Sequence, residues 1–522
     1  MIDKLLTTCD KEPIHYLSRI QQHGCLFVVS YGTFTILQLS DNTLQLIHCD
    51  PSLALNKPLE DFFENSFIAR LNFFSEMLKA EKKRFGTFNE DNFFQKLFCV
   101  LHCEEHFLIL EITPLSKEKD TSALSTEQMV LKAIACDAPK LPLIQLLDSM
   151  ALAVHEISGF DRVLLYRFDE DYNGTVLAQI QNVFDDNFLG HHFPASDIPV
   201  QARALYLKNR FRIIENVDEE SAIVYPALNP MTRAPLDMTF FYGRSVSPIH
   251  LHYLKNMGVS SSMSLSLIVE GRLWGLIVCH HSSPKSIPYT LYETYSLLSR
   301  VFSSQIEQKE HLLHYEKSFE LRLKRELFLN SLHAVQDMTF FDALTQEIKN
   351  LATVISCDIA VVCHEGKFIA SIPLIEDFSL LLSLVKNNLK EGYYQSSRLG
   401  HECPEFNISS IPLGGLIACE IPNLRDTYLM FIRLEQIETI QWAGEPVKHV
   451  TIENTIPVIN PRASFQSWKE TVTGTSQPFC LEEIESILQL AKDFYTLHKQ
   501  FNLYDEARKL KKLHHKLFEL LE

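Results

Sequence analysis

Between Pro288 and Gly366 the chain carries neither proline nor glycine. Proline removes a backbone donor and clashes with the preceding turn, and glycine weakens a helix, so a span lacking both leaves a helix free to continue. Within it Leu291, Tyr295, Leu298, Phe302 and Ile306 recur in steps of three or four, the spacing of one buried helical face. The pattern runs on, more polar, through 317–328 (KSFELRLKRELF). The spacing predicts one long connecting helix, with two helices meeting at a joint as the alternative. A chain of 522 residues is also too long for one core, and its length suggests about three domains.

Ahead of that helix, residues 24–39 read as two short strands around a Tyr31-Gly32 turn, and 93–114 as a second pair. A polar, helix-like segment separates them, and this small α/β unit ends near Ser116. The polar stretch 117–128 reads as a linker, and helical spacing resumes over 127–158. Residues 159–180 then predict a hairpin with Asn173-Gly174 as its turn signal, and 261–281 a matching one turning at Glu270-Gly271. The long irregular excursion between them leaves room for a pocket beside the sheet.

The same order returns after the long helix, with a helical 341–356 and a hairpin over 357–372 turning at Glu365-Gly366. A third domain on the second domain's plan is expected. Its own excursion, about 435–470, carries Trp442 and Trp468; exposed tryptophan is expensive, so this arm is expected to dock on another surface. At the C-terminal end Leu503, Ala507, Leu510, His514, Leu517 and Leu521 alternate steps of four and three. That is a heptad seam with one polar position, expected to pair two chains in parallel rather than lie on its own domain.

Composition narrows the function. A net charge of −17 argues against a nucleic-acid footprint and against anionic membrane surfaces as partners. No apolar run reaches the roughly 18 residues of a spanning helix, and the first residues hold no signal-peptide core, so a cytoplasmic location is expected. Twelve cysteines without a regular framework fit reduced thiols. Phosphate-cradling loops, nucleophile elbows and zinc-protease motifs are missing, so no catalytic residue is assigned. Cys99, His102, Cys103 and His106 have tempting zinc spacing. On one strand, however, the cysteines face one way and the histidines the other, so they read as structural cysteines and surface histidines. Adjacent His191-His192 and His280-His281 point apart in extended chain. No metal is expected.

The most informative stretch is 193–206, FPASDIPVQARALY. Pro194 and Pro199 pin a short turn bearing Ser196 and Asp197, ahead of a helix that carries Arg203 and Tyr206. Downstream residues suit a pocket for a large, flat, anionic ligand. Arg212 and Arg244 can each grip a carboxylate in bidentate fashion, and Ser262 and Ser264 add hydroxyls from one strand face. Tyr166, Phe193, Tyr206 and Tyr253 offer aromatic walls, and His250 and His280 add donors of adjustable pKa. Singly, each of these could equally be a core tyrosine, a satisfied histidine or a solvated arginine.

Taken together, FPASDIP (193–199), QARALY (201–206), YLKNMGVSSSMSLS (253–266), LWGLIVCHH (273–281), WAGEP (442–446) and PRASF (461–465) resemble the bacteriophytochromes. The resemblance covers nearly the whole chain in the order PAS, GAF, PHY. It implies an α+β fold of three domains, each an antiparallel sheet flanked by helices, joined by long connecting helices. The expected boundaries are a PAS domain over 1–120 with the chromophore-attachment segment and a GAF bilin-binding domain over 121–310. A PHY domain over 311–500 would carry a tongue at about 435–470, with a signalling or dimerisation helix over 501–522.

What the resemblance implies for function is a red/far-red photoreceptor holding biliverdin, a linear tetrapyrrole with two propionates, covalently through Cys9. Arg212 and Arg244 would bind the ring B propionate, and Ser262, Ser264 and His250 would help hold that of ring C. The Asp197 carbonyl, His250 and a shared water would contact the protonated pyrrole nitrogens. His280 would bond the ring D carbonyl, and Tyr166, Phe193 and Tyr253 would surround that ring. Ile198, Pro199, Tyr206 and Ser247 complete the chromophore contacts. Asp197 would pair with Arg462, and Trp442, Gly444, Arg462 and Ser464 would form the tongue switch, refolding from hairpin to helix after ring D rotates. Ile249 stands where relatives with a different bilin carry their attachment cysteine, which favours Cys9. Gln22 replaces a family proline, which puts the N-terminal knot in question, and His191 points to a red-absorbing resting state. A homodimer and an unidentified output partner are expected. Two other classes stay open: a GAF-type sensor of a cyclic nucleotide or haem, and the sensory half of a light-regulated enzyme whose output domain is missing.

Overall fold

The computed structural model describes residues 12–81, 85–91, 96–115, 131, 140–335, 338–373, 378–404, 412–446, 449–453, 456–460 and 462–521. The chain divides into two compact units, 1–309 with 441–468, and 310–440 with 469–522. In the first unit, β1 (Arg19–Ile20), β2 (Cys25–Ser30), β3 (Ile36–Ser40), α1 (Asn65–Ala80), β4 (Phe85–Asp91), β5 (Lys96–Cys103) and β6 (Phe107–Pro114) come first. There follow α2 (Leu143–Ser158), β7 (Arg162–Phe168), β8 (Gly174–Gln181), β9 (His192–Phe193) and α3 (Val200–Lys208). The unit continues with β10 (Phe211–Ile214), β11 (Ala222–Tyr225), α4 (Pro248–Asn256), β12 (Ser261–Val269) and β13 (Arg272–His281).

The first sheet has the order β1-β11-β3-β2-β6-β5-β4. One face buries Phe27, Ile36 and Leu110 against Phe67 and Leu71 of α1. The other buries Leu26, Val28 and Ile109 against Val224, Leu236, Met238 and Phe241 from the excursion after β10. A sheet covered on both faces needs continuous apolar strands, which is what runs such as LFCVL at 97–101 supply. The strand β11 belongs by sequence to the second domain yet sits between β1 and β3, so the two domains share one sheet.

That sharing corrects one expectation. His102 is buried, 2.6 Å from Glu111 and stacked parallel to Phe241 at 4.6 Å, because the excursion covers its face of the sheet. Among the described residues no group of three or more potential ligands could hold a metal ion.

The excursion also encloses the N-terminal segment. Val224 N–H donates to Ser18 O (2.9 Å), Met238 N–H to His15 O (2.9 Å) and Gln21 N–H to Gly243 O (2.8 Å). The Gln21 carboxamide donates to Ile213 O (2.9 Å) and accepts from Glu215 N–H (3.2 Å). Gln22 N–H donates to Glu219 (3.4 Å), a bond that proline at this position could not make.

The second sheet runs β10-β12-β13-β7-β8-β9 and continues beyond β9 through the strand that carries Trp442. Val163, Leu165, Met263, Leu265 and Ile277 face Leu146 and Met150 of α2 and the following helix. Turn residues Glu270 (φ 49°) and Gly271 (φ 75°) take the left-handed pair that a two-residue hairpin needs. At Gly275 a Cβ would lie 2.0 Å from Tyr166 O, so only glycine fits.

The Pro/Gly-free span forms α5 (Tyr292–Ala334), 43 residues long. Its Tyr292, Tyr295, Leu298, Phe302 and Ile306 enter the first unit's core, and its Leu321, Phe328 and Leu332 the second's. The helical run is interrupted before α6 (Phe340–Leu351), whose Thr339 cap accepts from Asp342 N–H. The second unit's sheet, order β15-β14-β18-β17-β16, comprises β14 (Ile359–His364), β15 (Lys367–Ala370), β16 (Tyr393–Ser396), β17 (Leu413–Glu420) and β18 (Thr427–Leu434). Helix α7 (Ser379–Asn388) covers one face; α6 and the last helix cover the other. The arm contains β19 (Glu438–Ala443), β20 (His449–Glu453), β21 (Ile456–Asn460) and β22 (Ser467–Val472), ahead of α8 (Leu481–Leu521). Among the described residues no helix is long and apolar enough to cross a membrane.

Glu215, buried beside the N-terminal segment, lies 3.6 Å from His23. Burial pushes Glu215 up to about 7 and, with Arg212 nearby, holds His23 down at about 3. The two meet as neutral groups. A raised carboxyl pKa means the protonated form is favoured on folding; that contribution is full below the ordinary value of 4.5 and is lost as pH rises through about 7. His23, held below its ordinary 6.5, contributes in the opposite sense, so the expected signature is a difference: the thermal stability of the wild type relative to Glu215→Gln is expected to fall as pH rises from about 5 to about 8. An unchanged pH profile in the variant would refute the assignment.

Candidate functional site

Sheet register aligns the polar side chains on one face of the second sheet. One row across the strands reads Ile214, Ser262, His280, Arg162; the next reads Arg212, Ser264, Val278, Leu164. Leu276 and Tyr166 form a third. Because residues of equal parity share a face, all of these point away from α2, and all but Arg162 and Leu164 line a cavity on that side. The turn and helix after β9, and α4 with its flanks, close it from above. Tyr166, Phe193, Asp197, Ile198, Pro199, Tyr206, Arg212, Arg244, Ser247, His250, Tyr253, Ser262, Ser264 and His280 all line this one cavity. Cys9 lies outside the described residues.

The two prolines act as the sequence suggests. Pro194 precedes the short turn Ala195–Asp197, and Pro199 sits at the N-terminal cap of α3. Arg203 donates to Ile198 O (2.6 Å) and Ala195 O (3.3 Å), tying the turn to its helix.

One wall is cationic. Arg212 donates to the carbonyls of Tyr242 (3.0 Å), Arg244 and Ser245 (3.0 Å), which fixes its guanidinium. Arg244 is buried, and its Nη1 has no partner among the described residues. Burial lowers Arg212 to about 9, helped by Arg244, and burial lowers Arg244 to about 10. Two like charges side by side, Arg244 buried and Arg212 half-buried, without a carboxylate partner among the described residues are costly unless an anion joins them. Ser264 Oγ donates to Tyr206 Oη at 3.4 Å beside them. His250 stacks on Tyr253 at 5.9 Å, and burial with Arg212 holds its imidazole down at about 4.

The opposite wall is aromatic. Tyr166 and Phe193 meet edge to face at 5.2 Å. His280 is buried, and burial, followed by Arg162, holds its imidazole well below the usual range. Met257, Leu254, Leu205 and Val278 supply the apolar remainder.

The arm closes the site. Arg462 lines the cavity, and its guanidinium pairs with Asp197, both side chains buried. It also donates to the carbonyls of Ala443 and Gly444. Tyr253 Oη donates to the same carboxylate at 3.1 Å, and Asn256 donates to Arg462 O at 2.9 Å. Trp442 is buried, packed edge-on to His192 at 5.7 Å, and pairs with it in parallel. Gly444 (φ 87°) is buried where a Cβ would lie 2.1 Å from Ser464 O. Ser464 itself is exposed, and so is Trp468, so that of the two arm tryptophans Trp442 is the one that docks.

Sequence reading missed Arg162, a fully buried arginine bonded to His280, and Glu12, which accepts from Ser247 Oγ at 2.8 Å. Arg162 was legible in principle: it shares strand parity with Leu164 and Tyr166.

A PAS, GAF and PHY series built around such a cavity is the layout of a photosensory module. Residues 9–115 match the PAS fold, 142–309 the GAF domain and 324–501 the phytochrome region. The chain is 32% identical to cyanobacterial phytochrome B of Nostoc over 93% of its own length and 65% of that protein's. It is 31% identical to a bacteriophytochrome of Pseudomonas aeruginosa, over 94% and 66%. Among solved structures, a bacteriophytochrome of R. palustris superposes with a TM-score of 0.82 at 29% identity, covering 94% of this chain and 99% of that one. The Stigmatella aurantiaca phytochrome photosensory core module gives 0.80 at 31%, covering 94% and 98%. The chain belongs to the phytochrome family. It spans about two thirds of the length of these two curated relatives.

Removing one member of a buried ion pair strands the other, at about 3–5 kcal/mol. Arg462→Ala is therefore expected to release the arm, read as faster amide exchange over 441–446 with the exchange of β7, β12 and β13 unchanged. Gly444→Ala should act in the same direction. Wild-type protection in both would show that neither contact holds the arm.

Proposed function

We propose that this chain is the red/far-red light-sensing part of a bacteriophytochrome, holding biliverdin through a thioether to Cys9. The observation that carries the reading is that Asp197, Tyr253 and Arg462 line the ligand cavity and also hold the arm. Any change in what fills the cavity is thereby felt by a distant piece of chain.

The residues suit the pigment. Arg212 and Arg244 meet the ring B propionate, which supplies the anion that two adjoining guanidinia require. Ser262, Ser264 and His250 serve the ring C propionate, and Ile198, Pro199, Tyr206 and Ser247 pack the pigment's edge. Bound biliverdin supplies a conjugated system that absorbs red light and rotates at the bridge to ring D. Around that ring Tyr166, Phe193 and Tyr253 hold the space, and His280 donates to its carbonyl. Asp197 and Arg462 keep the arm in its strand form until that wall rearranges; the arm around Trp442 and Ser464 then refolds towards helix. His191 points to a red-absorbing resting state. A cyclic nucleotide or haem would leave Cys9 and the Arg462 contact without a role.

Output passes to a partner or to sequence beyond this chain, through a homodimer. Leu503, Leu510 and Leu517 of α8 are exposed in a heptad stripe, at 60%, 68% and 52%. Such a stripe suits a second copy.

Co-expression with haem oxygenase should give a coloured protein whose spectrum reverses under red and far-red light. Colourless protein, or colour indifferent to light, would refute the reading. Cys9→Ser should lose denaturation-resistant pigment and zinc-induced fluorescence on a gel while keeping some pigment bound. Arg212→Ala should weaken uptake of biliverdin much more than that of its dimethyl ester, by roughly tenfold or more if one charge-assisted pair is lost.

A further inference from the structure

Arg162 is fully buried in β7, directly across from His280 in β13. Its Nη2 lies 3.1 Å from His280 Nδ1. The guanidinium is held against the rings of Phe184 (4.1 Å) and Phe188 (4.9 Å) rather than by a described carboxylate. Its Nε and Nη1 are buried without a partner among the described residues. A cation kept out of water on a sheet face that lines the cavity asks for a purpose, since replacing such a group by a hydrophobe is often neutral or stabilising.

Hydrogen-bond chemistry supplies one. Arginine has five N–H donors, no acceptor, and does not lose its proton in proteins. A ring nitrogen facing it must therefore offer a lone pair. Neutral imidazole carries one proton, and if Nδ1 accepts, that proton sits on Nε2. Which nitrogen of a histidine is protonated is set by the bond the other one makes.

We infer that Arg162 is a positioning residue: its guanidinium occupies His280 Nδ1 and locks the imidazole as the Nε2–H tautomer, so that His280 presents a donor, never an acceptor, to the cavity. The bilin reading enters only in naming the group that receives this bond, the ring D carbonyl. The same contact prevents the ring from turning over, which would put a carbon where the arginine needs a lone pair. The cavity is thus biased towards a ligand with a carbonyl oxygen at this end and against one presenting an N–H.

The test uses pigment-free protein labelled with ¹⁵N-histidine, with the His280 resonances identified by their loss in His280→Gln. The expected result is a bare Nδ1 and a protonated Nε2 in the wild type. Arg162→Met should give a mixed tautomer population, and Arg162→Lys, which keeps a donor, should restore the single tautomer. A proton on Nδ1 in the wild type, or an unchanged tautomer in a folded Arg162→Met, would overturn the inference. Should the methionine variant not fold, the wild-type and lysine spectra decide alone. In pigment-loaded protein, Arg162→Met should raise the frequency of the ring carbonyl stretch by weakening its hydrogen bond; an unmoved band would count against the inference. Wild-type protein with the expected tautomer that takes up no biliverdin would refute the functional reading and leave Arg162's role standing.

Discussion

Arg462 and Asp197 are 265 residues apart in sequence and form a buried ion pair at the cavity wall. Burying two charges is costly, and the cost is offset only if the remaining donors and acceptors are satisfied. Most of them are: Tyr253 donates to the carboxylate, and the carbonyls of Ala443 and Gly444 accept from the guanidinium, leaving its Nε without a partner among the described residues. Tight satisfaction makes the contact two-state. It holds with several bonds at once or, if the wall moves, fails with most of them, which is the behaviour required of an element that passes on a local event.

The wall can move only against a rigid floor. The second sheet provides it, with α2 and the start of α5 packed on the opposite face and Gly275 allowing β13 to press against β7. Helix α5 draws its first buried residues from that same core. The N-terminal segment is fixed just as firmly, because the excursion after β10 bonds to it on two sides and lends β11 to the first sheet. Cys9 lies three residues ahead of Glu12, whose carboxylate reaches Ser247 at the cavity.

The hairpins around Glu270-Gly271 and Glu365-Gly366, the long helix and the repeat of plan after it were all legible, because turn chemistry and helical period are local properties. The shared first sheet was not. Nothing in AIVY at 222–225 marks it as a partner for strands nearly two hundred residues earlier, since strands pair through backbone groups that every residue carries. The burial of His102 follows from that hidden pairing and was missed for the same reason. Trp468 was misjudged in the other direction: composition says that tryptophan tends to be covered, while the structure leaves it exposed on β22.

By itself the sequence determined which residues could share a face and which motifs carry the cavity's chemistry, since parity along a strand and the fixed φ of proline need no tertiary context. Only the tertiary structure decided that His280 meets Arg162, that Arg212 and Arg244 adjoin, and that Arg462 arrives from the arm to pair with Asp197. Those juxtapositions depend on strand register and on chain returning from far away. Local propensity carries no information about either, because both are set by which long-range packing buries the most apolar surface while leaving the fewest charges unpaired.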